Sequence, residues 1–452
     1  MPPLDQTNTR PNVLFLFTDQ QRWDTVGCYG SGMDLTPNLD RMAEQGVRFD
    51  LAFTPQPVCG PARACLQTGL YPTTLGCFRN SIPLPPNART LAHFYREAGY
   101  EVGYIGKWHL ADTDDRPVPA ERRGGYADYW LAADILEFSS QPYGGGYFDG
   151  DNQFVPFNGY RVNSQTDHVL EYLRTRTLDK PFFLFLSYLE PHHQNRRPNL
   201  GPEYAIDRYV APKGYADRYR DYPVPGDLTD HGGDWRENLA DYYGICANID
   251  ENLGRILAEL DALGIADNTV IVYTSDHGTH FRTRNREYKR SCHEASIRIP
   301  LVVRGPGFQG GKVIEELVSL VDLPPTLLEI AGTPAPDYFH GRSLLPLVQG
   351  NATDWPQEVF VQISESQVGR AIRTRRWKYG VDAPDRKGGE HPNSPVYVEQ
   401  YLYDLESDPH EQRNLIGVPD LRPVADELAA LLVQRMVAAG EAPPRIIPHT
   451  ES

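Results

Sequence analysis

Apolar residues in this chain fall into short unbroken runs, each followed at once by polar and titratable ones. Val13 to Phe17 is the first, without alternation, as expected of a strand buried on both faces of a parallel sheet, and it delivers Thr18-Asp19-Gln20-Gln21. Tyr100 to Ile105 ends in Gly106 and Lys107-Trp108-His109, Pro181 to Leu186 leads to Pro191-His192-His193, and Thr269 to Tyr273 leads to Ser275-Asp276-His277-Gly278. Ile299 to Val303 adds a further strand. Between these runs the pattern predicts helices at Thr36 to Gly46, with Pro near its start and Gly at its end, at Thr90 to Ala98, near Thr166 to Leu173, at Asp241 to Leu263 and at Asp322 to Ala331. Ile249, Leu253, Ile256, Leu257, Leu260 and Leu263 share one face of the longest, which is expected to pack on the sheet and to position nothing catalytic. Strands alternating with helices predict an α/β domain, in which working residues lie beyond the carboxyl ends of the strands.

Two stretches break the rhythm. Residues 111–165 lose periodicity and fill with Gly, Asp, Tyr and Phe, which predicts an insertion over the sheet's edge or active face, and 195–236 forms a second long loop. Pro346 to Trp355 reads as a linker. Short strands at Val359 to Ile363, Gly369 to Thr374, Trp377 to Val381 and Tyr401 to Leu405, with a helix from Leu421 to Ala438, predict a small antiparallel sheet plus helix. The expected division is 1–355 and 356–452.

Composition narrows the function classes. A formal charge of −16, from 44 basic and 60 acidic residues, opposes nucleic-acid binding, which needs a basic footprint. Six scattered cysteines show neither a disulfide framework nor a zinc pattern. Met1 to Asn12 has no basic leader region and no run is long enough for a membrane span, so the expectation is a cytoplasmic protein that engages no membrane.

The densest chemistry is Cys59-Gly60-Pro61-Ala62-Arg63-Ala64-Cys65-Leu66-Gln67-Thr68-Gly69. Pro61 suits the first turn of a helix, which puts Cys59 at the entrance, where unpaired N–H groups and the helix dipole favour an anion. Arg63, four residues on, shares that face. Read from the residues alone, Cys59 is either a small buried hydrophobe or the seat of an anionic side chain. Four strand ends add Asp19, Lys107 with His109, His192, and Asp276 with His277. Each has a structural explanation on its own, but together they gather carboxylates, imidazoles and an ammonium on one edge of a parallel sheet.

C-x-P-x-R followed by Leu66, Thr68 and Gly69 resembles the signature of the type I sulfatases, whose cysteine is oxidised to formylglycine. The resemblance extends through Asp19, Gly106-Lys107-Trp108-His109, Pro191-His192, Ser275-Asp276-His277-Gly278, Lys289 before Glu294, and Tyr403-Asp404-Leu405 to Asn414-Leu415. It implies an alkaline-phosphatase-like α/β sandwich: a large mixed, mostly parallel sheet between helices, with a small C-terminal antiparallel sheet and helix. It implies a sulfuric ester hydrolase in which Asp19, Gln20, Asp276, His277 and the formylglycine made from Cys59 hold one divalent cation. His192 and Lys289 would bind the ester and protonate its leaving oxygen, Lys107 and Arg63 would bind anionic oxygens, and His109 would act on the aldehyde hydrate. Many relatives carry Asp-Asp and Asp-Asn where this chain has Asp19-Gln20 and Asp276-His277. Oxygen donors favour calcium, while an imidazole tolerates manganese or zinc better than an all-oxygen cage does, and magnesium is a further candidate. The implied partners are a formylglycine-generating enzyme and a sulfated small molecule or saccharide.

Phosphonate monoester and phosphodiester hydrolases share the Asp-Gln, Asp-His and cysteine features, with Asn80 available to them, but tend to carry Tyr and Thr in place of Lys107 and His109. The other alternative is a non-catalytic anion-binding protein with Cys59 left as a thiol. Arg282, Arg284, Arg286, Lys289 and Arg290 form either an anion-attracting rim or a solvated loop. Tyr143, Tyr147, Tyr204, Tyr209, Tyr215 and Tyr219 either stack on sugar rings or fill a small core.

Overall fold

The computed structural model describes residues 10–177, 179–195 and 207–449, which leaves Tyr204 outside the described residues. A large sheet runs through the molecule in the order β11-β2-β10-β8-β1-β7-β3-β4-β5-β6. Its strands are β1 (Asn12–Asp19), β2 (Val47–Phe53), β3 (Glu101–Lys107), β4 (Tyr129–Ala133), β5 (Tyr143–Asp149), β6 (Phe154–Tyr160), β7 (Phe182–Pro191), β8 (Thr269–Ser275), the two-residue β9 (Arg298–Ile299) beside β2, β10 (Leu301–Arg304) and β11 (Lys312–Ser319). The four central neighbours β8, β1, β7 and β3 are parallel, as are β3 with β4 and β2 with β11, while β10 pairs antiparallel with β8 and β2.

The unbroken apolar runs are explained by burial on both faces. Leu14 and Leu16 of β1 point into a core shared with Tyr242, Ile249, Leu253, Ile256 and Leu260 of the helix Trp235–Ala262. Val13, Phe15 and Phe17 point the other way, toward Ala62, Ala64 and Leu66 of the helix Cys59–Thr68 and Leu327 and Leu328 of the helix Leu323–Ile330. On that face Phe15, Phe185 and Tyr104 stack across three strands, with ring centroids 4.7 and 5.1 Å apart and planes 12° and 5° from parallel. Such aromatic pairs add roughly 0.5–1.5 kcal/mol each beyond their area, so the centre of the sheet is a stiff floor.

The region 111–165 is not an irregular insertion. It carries β4, β5 and β6, which widen the sheet, and the helix Arg161–Thr175 begins within it. The β5–β6 hairpin sits at the sheet's edge with only four of its fourteen strand residues buried and Gly144, Gly145 and Gly146 in one strand, so no apolar face marks it. The linker is also partly structured: Leu345–Gln349 is a helical turn whose Leu345, Leu347 and Val348 are buried. A second sheet is built from β12 (Glu358–Ile363), β13 (Gly369–Thr374), β14 (Trp377–Asp382), β15 (Val396–Asp404) and β16 (Arg445–Ile447), with the first four antiparallel and β16 added parallel to β15. Leu428, Leu432 and Met436 of the helix Arg422–Ala438 pack against it. Among the described residues no helix is long and apolar enough to cross a membrane.

Candidate active site

The parallel register puts the strand ends level. Asp19 lies opposite Pro191, Thr18 opposite Ser275, and Gly106 opposite Ser187. Chain just past β1, β3, β7 and β8 therefore converges on one spot, and the helix Cys59–Thr68 starts there, with Cys59 as its first residue after the extended Val58. Gly106 allows this close assembly: at φ 110°, a Cβ on it would lie 1.9 Å from the Ser187 carbonyl oxygen.

Asp19, Cys59, Asp276 and His277 place one donor atom each within 4.8 Å of one another, all buried. The Cys59 sulfur is 3.5 Å from Asp19 Oδ1, 3.4 Å from His277 Nε2 and 2.8 Å from Lys289 Nζ. His277 Nδ1 lies 2.9 Å from the Gly278 carbonyl, which can only accept, so that nitrogen carries the proton and Nε2 turns a lone pair toward the cluster. Gln20 follows β1 at φ 73°; its N–H donates to Asp276 Oδ1 at 3.0 Å, its Nε2 donates to Tyr209 Oη at 2.6 Å, and its Oε1 is buried without a protein partner. Two carboxylates, a thiol, an imidazole lone pair and an orphaned amide oxygen suit a divalent cation: the residues present fit one.

Positive charge surrounds this set. Lys107 Nζ sits 2.9 Å from Asp19 Oδ2 and 3.2 Å from Glu137 Oε1. Arg63 does not bond the sulfur; its guanidinium reaches Asp19 Oδ2 at 3.1 Å, Asp276 Oδ2 at 3.5 Å and Ser187 Oγ at 2.7 Å, and lies 5.2 Å from the centre of the Phe17 ring. Burial and Cys59 push the Asp19 carboxyl up, but Lys107, His192 and Lys289 outweigh them and hold it well below the usual carboxylate range. Burial and the adjacent Asp19 push Asp276 up to about 6. Burial opposes ionisation of Cys59 too, yet Lys289 and Lys107 pull its thiol well below the ordinary range. The site is thus wired to hold negative charge at position 59.

Over it opens a cleft of about 220 Å³ lined by Cys59, Asn80, His109, Glu137, His192 and Lys289 among others. His192 Nδ1 is 2.6 Å from the His193 carbonyl, which leaves Nε2 as its free end, and burial followed by Lys289 lowers its pKa. Asn80 Oδ1 accepts from Gly60 N–H at 2.9 Å. Every candidate site residue read from the sequence, Asp19, Gln20, Cys59, Arg63, Lys107, His109, His192, Asp276, His277 and Lys289, is buried in this one region. Two members of the basic run are paired with carboxylates, Arg282 with Asp207 and Asp234 and Arg290 with Glu287 and Glu365, while Arg284 donates to the His410 and Glu411 carbonyls. Of the tyrosines, Tyr147 and Tyr209 are core residues, while Tyr143 is exposed.

Sequence reasoning missed Glu137 and Tyr242, and named Tyr209 only as a sugar-stacking or core tyrosine, not as a partner of Gln20. Glu137 sits in a helical turn between β4 and β5, inside the stretch read as irregular. The helix Trp235–Ala262 does support the site, contrary to expectation: Tyr242 Oη donates to the Gln20 carbonyl at 2.8 Å and accepts from Arg22 N–H at 2.8 Å. Its apolar stripe hid a polar tip, which is the usual disguise of a tyrosine.

Comparison with known proteins agrees with this geometry. The Sulfatase family model matches residues 11–333, and the model for the C-terminal region of N-sulphoglucosamine sulphohydrolase matches residues 286–438. An ulvan-active sulfatase of Formosa agariphila is 31% identical over 96% of this chain and 82% of its own length. An N-acetylglucosamine-6-O-sulfatase of Bacteroides thetaiotaomicron is 27% identical over 95% of this chain and 87% of its own. The solved structure of the Bacteroides fragilis protein named yidJ superposes with a TM-score of 0.83 at 26% identity, covering 98% of both chains.

Proposed function

Because the chain belongs to the sulfatase family, we propose that it releases inorganic sulfate from a sulfated saccharide at the cluster around Cys59, with that cysteine converted to formylglycine and one divalent cation beside it. The observation that carries the reading is the buried quartet Asp19, Cys59, Asp276 and His277 at the foot of a cleft lined by Lys289, His109 and His192. The names of the two relatives, one active on ulvan and one on an N-acetylglucosamine sulfate, support a carbohydrate ester. Lys107 and His109 in place of Tyr and Thr favour sulfate over phosphonate.

Asp19, Gln20, Asp276 and His277, with position 59, would hold the cation, and calcium is favoured by the oxygen donors. A bound cation supplies charge neutralisation and a lowered pKa for a hydroxyl on the oxidised side chain, which acts as nucleophile. The protein's own groups do the rest. Lys107, fixed between Asp19 and Glu137, and Arg63, fixed by both aspartates, keep permanent positive charge next to the place where the sulfate oxygens lie. Lys289, already 2.8 Å from the sulfur, carries protons that it can give to the departing alcohol oxygen. His192 is held with Nε2 unprotonated toward the cleft, and His109, with its Nδ1 buried and unpartnered, faces position 59 as a base.

Two measurements test this reading. Mass spectrometry of the tryptic peptide 49–63 from protein made in its native host is expected to show the aldehyde at position 59; a fully retained thiol with normal turnover would refute the mechanism. kcat/KM for 4-nitrophenyl sulfate is expected to exceed that for a phosphonate monoester, and a hexose sulfate is expected to surpass both.

A further inference from the structure

Gln20 poses a question that its own atoms do not answer. A side-chain amide has a donor end and an acceptor end of nearly identical shape, and only the oxygen binds a cation. A chain of hydrogen bonds with a fixed direction answers it. The Tyr288 carbonyl can only accept, so the Thr279 hydroxyl 3.2 Å away donates to it. Thr279 Oγ1 is then left to accept, and does so from the Tyr209 hydroxyl at 3.2 Å and from the Phe281 N–H at 3.4 Å. Tyr209 Oη, its proton committed, accepts from Gln20 at 2.6 Å, and the Gln20 atom facing it must therefore be the nitrogen. Oε1 is the end without a protein partner, on a residue that is 0% exposed. The backbone of Gln20 is pinned at both polar atoms, by Asp276 and Tyr242, and its side chain is fully buried, so the amide flip changes no shape and is opposed by the relay alone.

We propose that Tyr209 is a positioning residue that presents the Gln20 amide oxygen, rather than its nitrogen, to the cation held by Asp19, Cys59, Asp276 and His277. The proposal rests on the cation reading given above. It assigns a role to Tyr209, ahead of the helix Trp235–Ala262: it fixes the polarity of one ligand. Tyr209 is 1% exposed, with ring centroids 5.2 Å from Tyr242, 5.4 Å from Phe281 and 5.6 Å from Tyr288. Phenylalanine at 209 keeps that packing, so Tyr209→Phe deletes the hydroxyl alone.

The test titrates Ca2+ by calorimetry into chelator-treated full-length protein and follows the thermal midpoint with and without Ca2+. Tyr209→Phe is expected to weaken Ca2+ binding about tenfold, the low end for losing a hydrogen bond that orients a metal ligand, and to shrink the Ca2+-dependent rise in midpoint. Gln20→Glu offers an oxygen at either end of the side chain. In that background Tyr209→Phe is expected to cost less than about twofold in affinity, since no flip remains to be prevented. An equal loss in both backgrounds would make Tyr209 a packing residue and overturn the proposal while leaving Gln20 as a ligand. A Gln20→Ala variant with unchanged Ca2+ affinity would remove Gln20 from the ligand set and overturn the proposal together with that part of the cation reading.

Discussion

Lys289 and His192 border the same sulfur, yet their protons differ. His192 has its Nδ1 proton committed to the His193 carbonyl, and burial together with Lys289 disfavours a second one. Lys289 is the group with protons to give. Lys289→Ala is accordingly expected to lower kcat by about 10²–10⁴ on an alkyl or sugar sulfate, whose alkoxide needs the proton. On 4-nitrophenyl sulfate, whose phenolate leaves unaided, the loss should be far smaller, and the steepened dependence of kcat on leaving-group pKa is the measurement. Lys107 behaves differently because it is fully buried between two carboxylates. Lys107→Ala leaves buried Glu137 without its lysine and Asp19 with Arg63 alone, and is expected to cost about 3–5 kcal/mol of unfolding free energy as well as activity, read from urea denaturation.

Two elements carry constraints of their own. The last turn of β3 depends on Gly106, where any Cβ would strike the backbone of β7 and would also face φ 110°. Gly106→Ala is expected to cost about 3 kcal/mol or more, seen as a large fall in thermal midpoint or loss of soluble protein. The loop from His277 to Lys289 is closed by His280, whose N–H donates to the Tyr288 carbonyl and whose ring reaches the Lys289 carbonyl. Burial lowers the His280 pKa from 6.5 to about 3. The unfolded chain takes up this proton below about pH 6.5 while the folded one refuses it, so His280 withdraws stability as pH falls, by up to about 1.4 kcal/mol per unit. A His280→Gln variant should show a flatter acid limb of unfolding free energy against pH. The strand ends that lead to Asp19, Lys107, His192 and Asp276 were legible because doubly buried parallel strands announce themselves as unbroken apolar runs. β2, β4, β5, β6 and β11 were not: β2, β5, β6 and β11 keep half-buried or exposed residues and mix charges or glycines into their length, and β4 lies inside the stretch 111–165 that shows no periodicity. The supporting roles of Glu137, Tyr209 and Tyr242 escaped for a related reason: a residue that holds another in place needs no motif, only proximity, and proximity came from a helical turn, a loop and the polar tip of a helix tyrosine.

At the scale of the molecule, the second sheet is bolted to the first beneath the active-site loop. Lys378 of β14, 0% exposed, lies 2.8 Å from Glu294 Oε1 and 2.5 Å from Glu411 Oε1, while Arg373 of β13 reaches Glu294 at 3.3 Å. Glu294 stands five residues after Lys289, so the pair motif seen in the sequence joins a cleft residue to an anchor in the second sheet. Lys378→Met leaves two buried carboxylates facing each other and is expected to destabilise by about 3–5 kcal/mol; Lys378→Met with Glu411→Gln should recover part of that loss in the same denaturation assay. Sealing is equally complete at position 59, where every residue of the helix Cys59–Thr68 is buried and the cysteine itself is 2% exposed. A macromolecule that must grip this stretch of backbone has no purchase on the folded protein, and position 59 opens to solvent through the cleft.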